Sequence, residues 1–298
     1  MTLPVRYDHG APLAFGGAVP CPKSFDESRV VILPIPVDRT TSYVPGTRNG
    51  PREILLASSH MELWDDELGV DVHPVGLCTL PEMELPFGEL DPLMEEIKRV
   101  ATELFAREKF VVALGGEHSI TPPLVAAAAA KHRGVHVLQI DAHADLRDIY
   151  MGTRHNHACA MRRTLDHASI TQVGIRSLST EEAEAIPRLR TTIFYDSVMR
   201  RDPAWVDRVV ESLGDPVYIT IDVDGMDPAI MPATGTPEPG GLSWYEMLEL
   251  LRATVERREV VGCDVVELSP LPGVIAPNFL CAKLIYKILT YRFANTAS

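Results

Sequence analysis

The feature that most restricts how this chain can fold is a rhythm of short apolar runs rich in β-branched residues. They are VVILPIP from residue 30, FVVALGG from 110, VHVLQID from 135, ITQVGI from 170, TTIFYD from 191, VYITID from 217 and VVGCDVVEL from 260. Stretches of helical periodicity lie between most of them: LDPLMEEIKRVATELFARE, ITPPLVAAAAAKH, PAWVDRVVESL and SWYEMLELLRATVERR. Strands apolar on both faces need cover on both, and parallel neighbours need a crossover long enough to hold a helix. The rhythm therefore predicts βαβ units and an α/β fold around a mostly parallel sheet. No low-complexity linker or fixed-period repeat interrupts it, so one domain is expected over residues 29–298. Residues 1–28 hold several Gly and Pro with little periodicity and read as an N-terminal arm.

Composition narrows the function classes. The formal charge of −13 argues against a nucleic-acid partner, which needs a basic face to release counterions. It suits a cationic ligand, or serves solubility alone. Five scattered cysteines without a CxxC pair suggest reduced thiols in a reducing compartment rather than a disulfide framework. The opening MTLPVRYDHG lacks a signal pattern, and LVAAAAA at 124–130 is too short to cross a bilayer. A cytoplasmic protein with no membrane partner is the expectation.

In open parallel sheets, ligands bind beyond the carboxyl ends of the strands. Those ends carry the chain's most unusual polar residues. After FVVAL comes GGEHSITPP, where Thr121 before Pro122 looks like a helix N-cap, which leaves His118 in the strand-to-helix turn. After VLQI come Asp141, His143 and Asp145, which period-2 geometry directs to one side. After VYITI come Asp222 and Asp224, and after VVGCDVV comes Glu267. A single DxHxD can be a cap beside a satisfied core histidine. A second carboxylate pair at another strand end changes the balance: four aspartates meeting in one place repel unless cations neutralise them. Oxygen-rich ligation with two imidazoles and no thiolate suits manganese-like divalent ions.

The segments GGEHS, DAHAD and TIDVDGMDP, supported by VPGTRNGP from residue 44 and DVVELSP from 264, resemble the signatures of the ureohydrolases, the family of arginase and agmatinase. The resemblance runs in order from about residue 14 to the C-terminal helix. It implies an arginase-like three-layer α/β/α sandwich around a mostly parallel sheet of about eight strands. It implies two Mn²⁺ per chain, one held by His118, Asp141, Asp145 and Asp222, the other by His143, Asp141, Asp222 and Asp224. It also implies hydrolysis of a guanidinium group to urea and an amine. Guanidinium is resonance-stabilised, so unassisted water attacks it poorly; two metals about 3.5–4 Å apart can acidify a bridging water, and the resulting hydroxide is the expected attacker.

Asp145 is then expected to orient that attacker and relay its proton. His157, in RHNHACAMRR, is the expected proton shuttle to the leaving amine, with His155 on the rim. Glu267 matches the family glutamate that receives guanidinium nitrogens, as carboxylates receive the arginine fork. The stretch LRDIYMGTRHNHAC looks like agmatinases rather than arginases, so agmatine, cleaved to putrescine and urea, is the expected substrate. Arg154 leaves an alternative open: directed into the pocket it would receive a carboxylate, favouring guanidinobutyrate, guanidinopropionate or arginine. A non-catalytic metal-binding relative is a further alternative. The family's habit implies a homotrimer or homohexamer.

Overall fold

Every apolar run named above folds as a strand, and an eighth strand joins them at one edge. The computed structural model describes residues 13–17, 24–86 and 88–296. In chain order the elements are β1 (Val30–Ile35), α1 (Gly50–Ser58), β2 (Leu77–Thr79), α2 (Leu90–Ala106), β3 (Phe110–Gly115) and α3 (Thr121–Lys131). There follow β4 (His136–Ile140), α4 (Ala160–Thr164), β5 (Ser169–Ile175), α5 (Thr180–Ala185), β6 (Thr191–Tyr195) and α6 (Asp196–Met199). The chain continues with α7 (Trp205–Ser212), β7 (Val217–Asp222), α8 (Trp244–Arg257), β8 (Val260–Val266) and α9 (Ala276–Phe293).

The strands form one sheet in the order β2-β1-β3-β8-β7-β4-β5-β6, and every neighbouring pair is parallel. Alternation along each strand divides the core in two. Val30, Ile32, Val112 and Leu114 pack with Ile54 of α1, Val209 of α7, Leu250 of α8 and Leu284 of α9. Val31, Leu33, Val111 and Ala113 pack on the other side with Ile97 of α2, Leu124 of α3 and Met161 of α4. The result is a three-layer α/β/α sandwich. Each aliphatic side chain buried this fully contributes roughly 1.5–3 kcal/mol relative to exposure.

One local expectation needs correction. Thr121 is not the N-cap of α3 but its first residue; a 3₁₀ turn over His118–Ile120 leads in, and the Thr121 hydroxyl serves Asp264 instead. Part of the expected arm packs on the domain. Phe15 is buried, its N–H donates to Thr79 Oγ1 at 2.9 Å, and the Gly16 N–H donates to Ser58 Oγ at 3.1 Å. Farther on, the buried Lys109 ammonium donates to the carbonyls of Phe25, Asp26 and Ser28 and fastens that segment to the start of β3. Residues 1–12 and 18–23 of the expected arm lie outside the described residues. Among the described residues no helix is long and apolar enough to cross a membrane.

Candidate active site

The four strands whose ends carry the singled-out residues, β3, β8, β7 and β4, are consecutive at the middle of the sheet. Two motif glycines allow their turns to close together. A Cβ on Gly116 would lie 1.7 Å from the Val37 carbonyl oxygen, and one on Gly225 would lie 2.8 Å from the Asp141 amide nitrogen. Any side chain at either position would force backbones apart at the strand ends.

Around this point the polar groups form two overlapping clusters. In the first, His118 Nδ1 faces three carboxylates: Asp145 Oδ2 at 3.1 Å, Asp141 Oδ2 at 3.2 Å and Asp222 Oδ2 at 3.4 Å. In the second, His143 Nδ1 lies 3.0 Å from Asp224 Oδ2 and 3.6 Å from Asp141 Oδ1. Asp141 thus gives one oxygen to each cluster. The ligand atoms of His118, Asp141 and Asp145 all lie within 4.8 Å of one another, as do those of Asp141, His143 and Asp224. Asp222 stands beside the first group, its Oδ1 accepting the Asp224 N–H at 3.0 Å.

The backbone at the cluster departs from the extended geometry that period-2 reasoning assumed. β4 ends at Ile140, and Asp145 adopts a left-handed φ of 52°. Glu267, just past β8, has a φ of 65°. For side chains other than glycine such backbone costs about 1–3 kcal/mol and persists only where surrounding bonds fix it. Here the Glu267 N–H donates to the Gly116 carbonyl at 2.7 Å, and the Asp145 carbonyl accepts the Arg162 N–H at 3.0 Å.

Whether a cation fits is decided by the His118 ring. Its Nε2 lies 2.9 Å from Thr220 Oγ1, and that hydroxyl lies 2.6 Å from Asp264 Oδ1, to which it donates. Thr220 must then accept from the ring, which places a proton on Nε2 and, in the neutral ring, leaves Nδ1 a lone pair for a cation. Nδ1 is buried and has no hydrogen-bond partner, although three carboxylate oxygens lie near it. Lone pairs converging on one another are repulsive unless a positive charge sits among them. The arrangement is the one expected of a metal-ligating histidine fixed by a carboxylate-backed donor bond. Gln139 does the same for Asp141, donating to Oδ2 at 2.6 Å. Neither Thr220–Asp264 nor Gln139 was singled out from the sequence, where a polar residue inside an apolar strand was the available signal.

The electrostatics without ions agree. Burial and then the neighbouring Asp141 raise Asp145 to about 6. Burial, Asp224 and Asp141 push Asp222 well up, and burial with Asp141 raises Asp224. Burial alone would lower His143, but Asp224 and Asp141 outweigh it and push it up to about 12. In all of these the folded state binds protons that the unfolded chain releases, so stability falls as pH rises through the interval. The Asp145 contribution is lost between about 4 and 6, those of Asp222 and Asp224 from about 4 upward, and the imidazole contribution from about 6.5 upward. Asp141, whose pKa is lowered, acts the other way but only below this window. Above about pH 6.5, where the lowered pKa of His136 no longer opposes the trend, metal-free protein is therefore expected to melt at steadily lower temperature up to about pH 9, and saturating divalent ion to flatten the dependence. Thermal scans with and without chelator check this, and a chelated protein most stable at pH 9 would contradict it.

Glu267 and His157 stand beside the clusters. Glu267 Oε1 accepts the His118 N–H at 2.7 Å and lies 3.2 Å from His157 Nδ1, while Oε2 accepts no hydrogen bond among the described residues. Burial would lower the His157 pKa, but the Glu267 carboxylate, with Asp145 and Glu117, raises it to about 9. Arg154 lies apart from the clusters. It is exposed and lines a hollow with Asp91, Lys98 and Asp166 that none of the clustered residues reaches. A tight turn pairing Tyr150 with Thr153 precedes it, and His155 reaches Asp91 of α2 at 2.5 Å, so this stretch is tied to α2 rather than to the strand ends.

A strand-end cluster of this composition on this sheet defines a class, and sequence comparison agrees. Residues 28–290 match the Arginase family. The chain belongs to the ureohydrolase (arginase/agmatinase) family, and it is an enzyme of that type with a binuclear set of metal ligands. It is 40% identical to the N(1)-aminopropylagmatine ureohydrolase of Synechocystis sp. over 279 residues, 90% of each chain. It is 35% identical to an agmatinase of Bacillus cereus, covering 83% of this chain and 86% of that one. The solved agmatine ureohydrolase of Thermoplasma volcanium superposes with a TM-score of 0.86 at 32% identity over 97% of both chains.

Proposed function

We propose that the enzyme hydrolyses a linear guanidino-alkylamine, agmatine in the first instance, to urea and the free amine, putrescine. The observation that carries this reading is the pairing of Glu267 with His157 beside the two clusters: a carboxylate for a guanidinium next to a proton donor for an amine. His118, Asp141, Asp145 and Asp222 would hold one Mn²⁺, and His143, Asp141, Asp222 and Asp224 the other. When bound, the pair supplies water acidified toward neutral pH as the nucleophile.

The remaining work falls to the chain's own side chains. Glu267 Oε2 accepts N–H bonds from the planar guanidinium and orients its carbon. In the reaction a C–O bond forms, the bond from carbon to the alkyl nitrogen breaks, and both water protons end on that nitrogen. Asp145 takes up one proton at its carboxylate and returns it. His157, protonated at neutral pH, delivers the other from its ring. Substitution of Glu267 by Gln is expected to raise KM for the guanidinium substrate about 100-fold, the loss of a charge-assisted pair, and to leave two Mn²⁺ bound. Steady-state kinetics with elemental analysis check this; lost metal with unchanged KM would count against the role.

A second reading concerns substrate length. The Synechocystis relative is an N(1)-aminopropylagmatine ureohydrolase, which supports an aminopropyl-extended agmatine here. Guanidino acids have less support, because Arg154, their candidate carboxylate receiver, lies away from the cluster. Urea release from agmatine, N(1)-aminopropylagmatine, guanidinobutyrate, guanidinopropionate and arginine with Mn²⁺ separates these. A large preference for arginine or a guanidino acid would overturn the reading. A cytoplasmic homotrimer or homohexamer completes the proposal, and sedimentation of the full-length chain tests the assembly.

A further inference from the structure

The third residue of GGEHS, Glu117, is fully buried yet carries a carboxylate that neither cluster uses. Burying such a group is costly unless every lone pair finds a donor. Glu117 finds four, three of them from one loop. Oε2 accepts the N–H groups of Arg39 at 2.7 Å and Thr40 at 2.6 Å; Oε1 accepts the hydroxyls of Thr40 at 2.8 Å and Ser119 at 2.6 Å.

The same loop grips His157. Thr40 Oγ1, while donating to Glu117, accepts the His157 N–H at 2.9 Å. The Thr40 carbonyl accepts Asn156 Nδ2 at 3.2 Å. Two residues on, Ser42 Oγ lies 3.2 Å from His157 Nε2. Beyond the Glu267 contact and the Ala160 N–H held by the His157 carbonyl, the polar bonds that locate His157 thus come from a loop anchored to Glu117.

We propose that Glu117 is a positioning residue for proton delivery: through Thr40 it fixes the backbone and ring of His157 against Glu267. The inference rests on His157 being the shuttle, as proposed above. A shuttle displaced by about 1 Å loses turnover on the order of 100-fold, whereas binding through Glu267 is little affected.

The test uses full-length, Mn²⁺-loaded protein carrying Thr40→Val, Glu117→Ala, Glu117→Gln, the Thr40→Val/Glu117→Ala pair, or His157→Ala. Thr40→Val keeps the shape and removes the hydroxyl, at a residue that touches no metal ligand. It is expected to lower kcat ~100-fold with KM and metal content nearly unchanged, and to speed hydrogen exchange of the His157 amide. Glu117→Ala should match it. Glu117→Gln keeps the carbonyl acceptor for the two amides and should recover most of the turnover. The double variant should be no slower than the worse single one, because both cut the same connection. Should Glu117→Ala fail to fold or lose metal, Thr40→Val alone decides. Wild-type turnover in Thr40→Val beside an inactive His157→Ala would overturn this inference and spare the function. Multiplying losses in the double variant would also overturn it. Full turnover in His157→Ala would remove the shuttle, and this inference with it.

Discussion

Replacing Asp222 by Asn is expected to slow urea release ~1,000-fold or more, about 4 kcal/mol of lost transition-state stabilisation, and to leave the protein folded. Asp222 is buried, with Oδ2 3.4 Å from His118 Nδ1 and Oδ1 accepting the Asp224 N–H. Asparagine can keep the Asp224 bond through its carbonyl oxygen, so the 3₁₀ turn over Val223–Gly225 survives. It turns an NH₂ donor toward the point where a cation is expected and removes a full negative charge from the cluster. Metal affinity should fall, and the variant should need far more Mn²⁺ for what activity remains. In chelator the sign reverses: with one of the crowded carboxylates neutralised, the variant should melt at or above the parent's temperature at pH 8. Urea assays over a Mn²⁺ titration, paired with thermal scans in chelator, read both effects. Full activity at limiting Mn²⁺ would show that Asp222 is no ligand.

The second large effect is expected at His157. Its substitution by Ala should reduce kcat by ~10²–10⁴, the usual worth of a positioned general acid, with two Mn²⁺ retained. The raised pKa of about 9 means that the ring carries its proton through neutral pH and loses it as pH rises through that value. Turnover of the parent should therefore decline above about pH 9, and the small residual rate of the variant should lack that limb. Small primary amines or imidazole supplied in solution should restore part of the rate. A variant with normal turnover, or one that sheds its metal, would assign the residue a different role.

The sheet could be anticipated because its strands are apolar on both faces and their crossovers are helical. β2 could not: Leu77–Thr79 is three residues long, and only its pairing with β1 makes it a strand. α1 begins inside VPGTRNGP, where the glycines and prolines look like a loop; packing of Ile54 and Leu55 against the sheet makes it helical. The clustered aspartates and histidines were visible because strand ends in a parallel sheet lie together. What holds them was not. Thr40, Thr220, Asp264 and Gln139 are ordinary polar residues whose roles come from partners 77, 102, 44 and 2 positions away, respectively. The direction of Arg154 was illegible for the same reason: spacing from DxHxD says nothing of how the intervening loop turns, and here it turns toward α2.

All of this depends on two ions sharing the strand-end carboxylates, and stoichiometry tests that most directly. Metal-stripped enzyme titrated with Mn²⁺, with bound metal per chain and urea release measured at each point, should reach full rate only as occupancy approaches two. Full activity at one ion per chain, or in protein free of transition metal, would contradict the account.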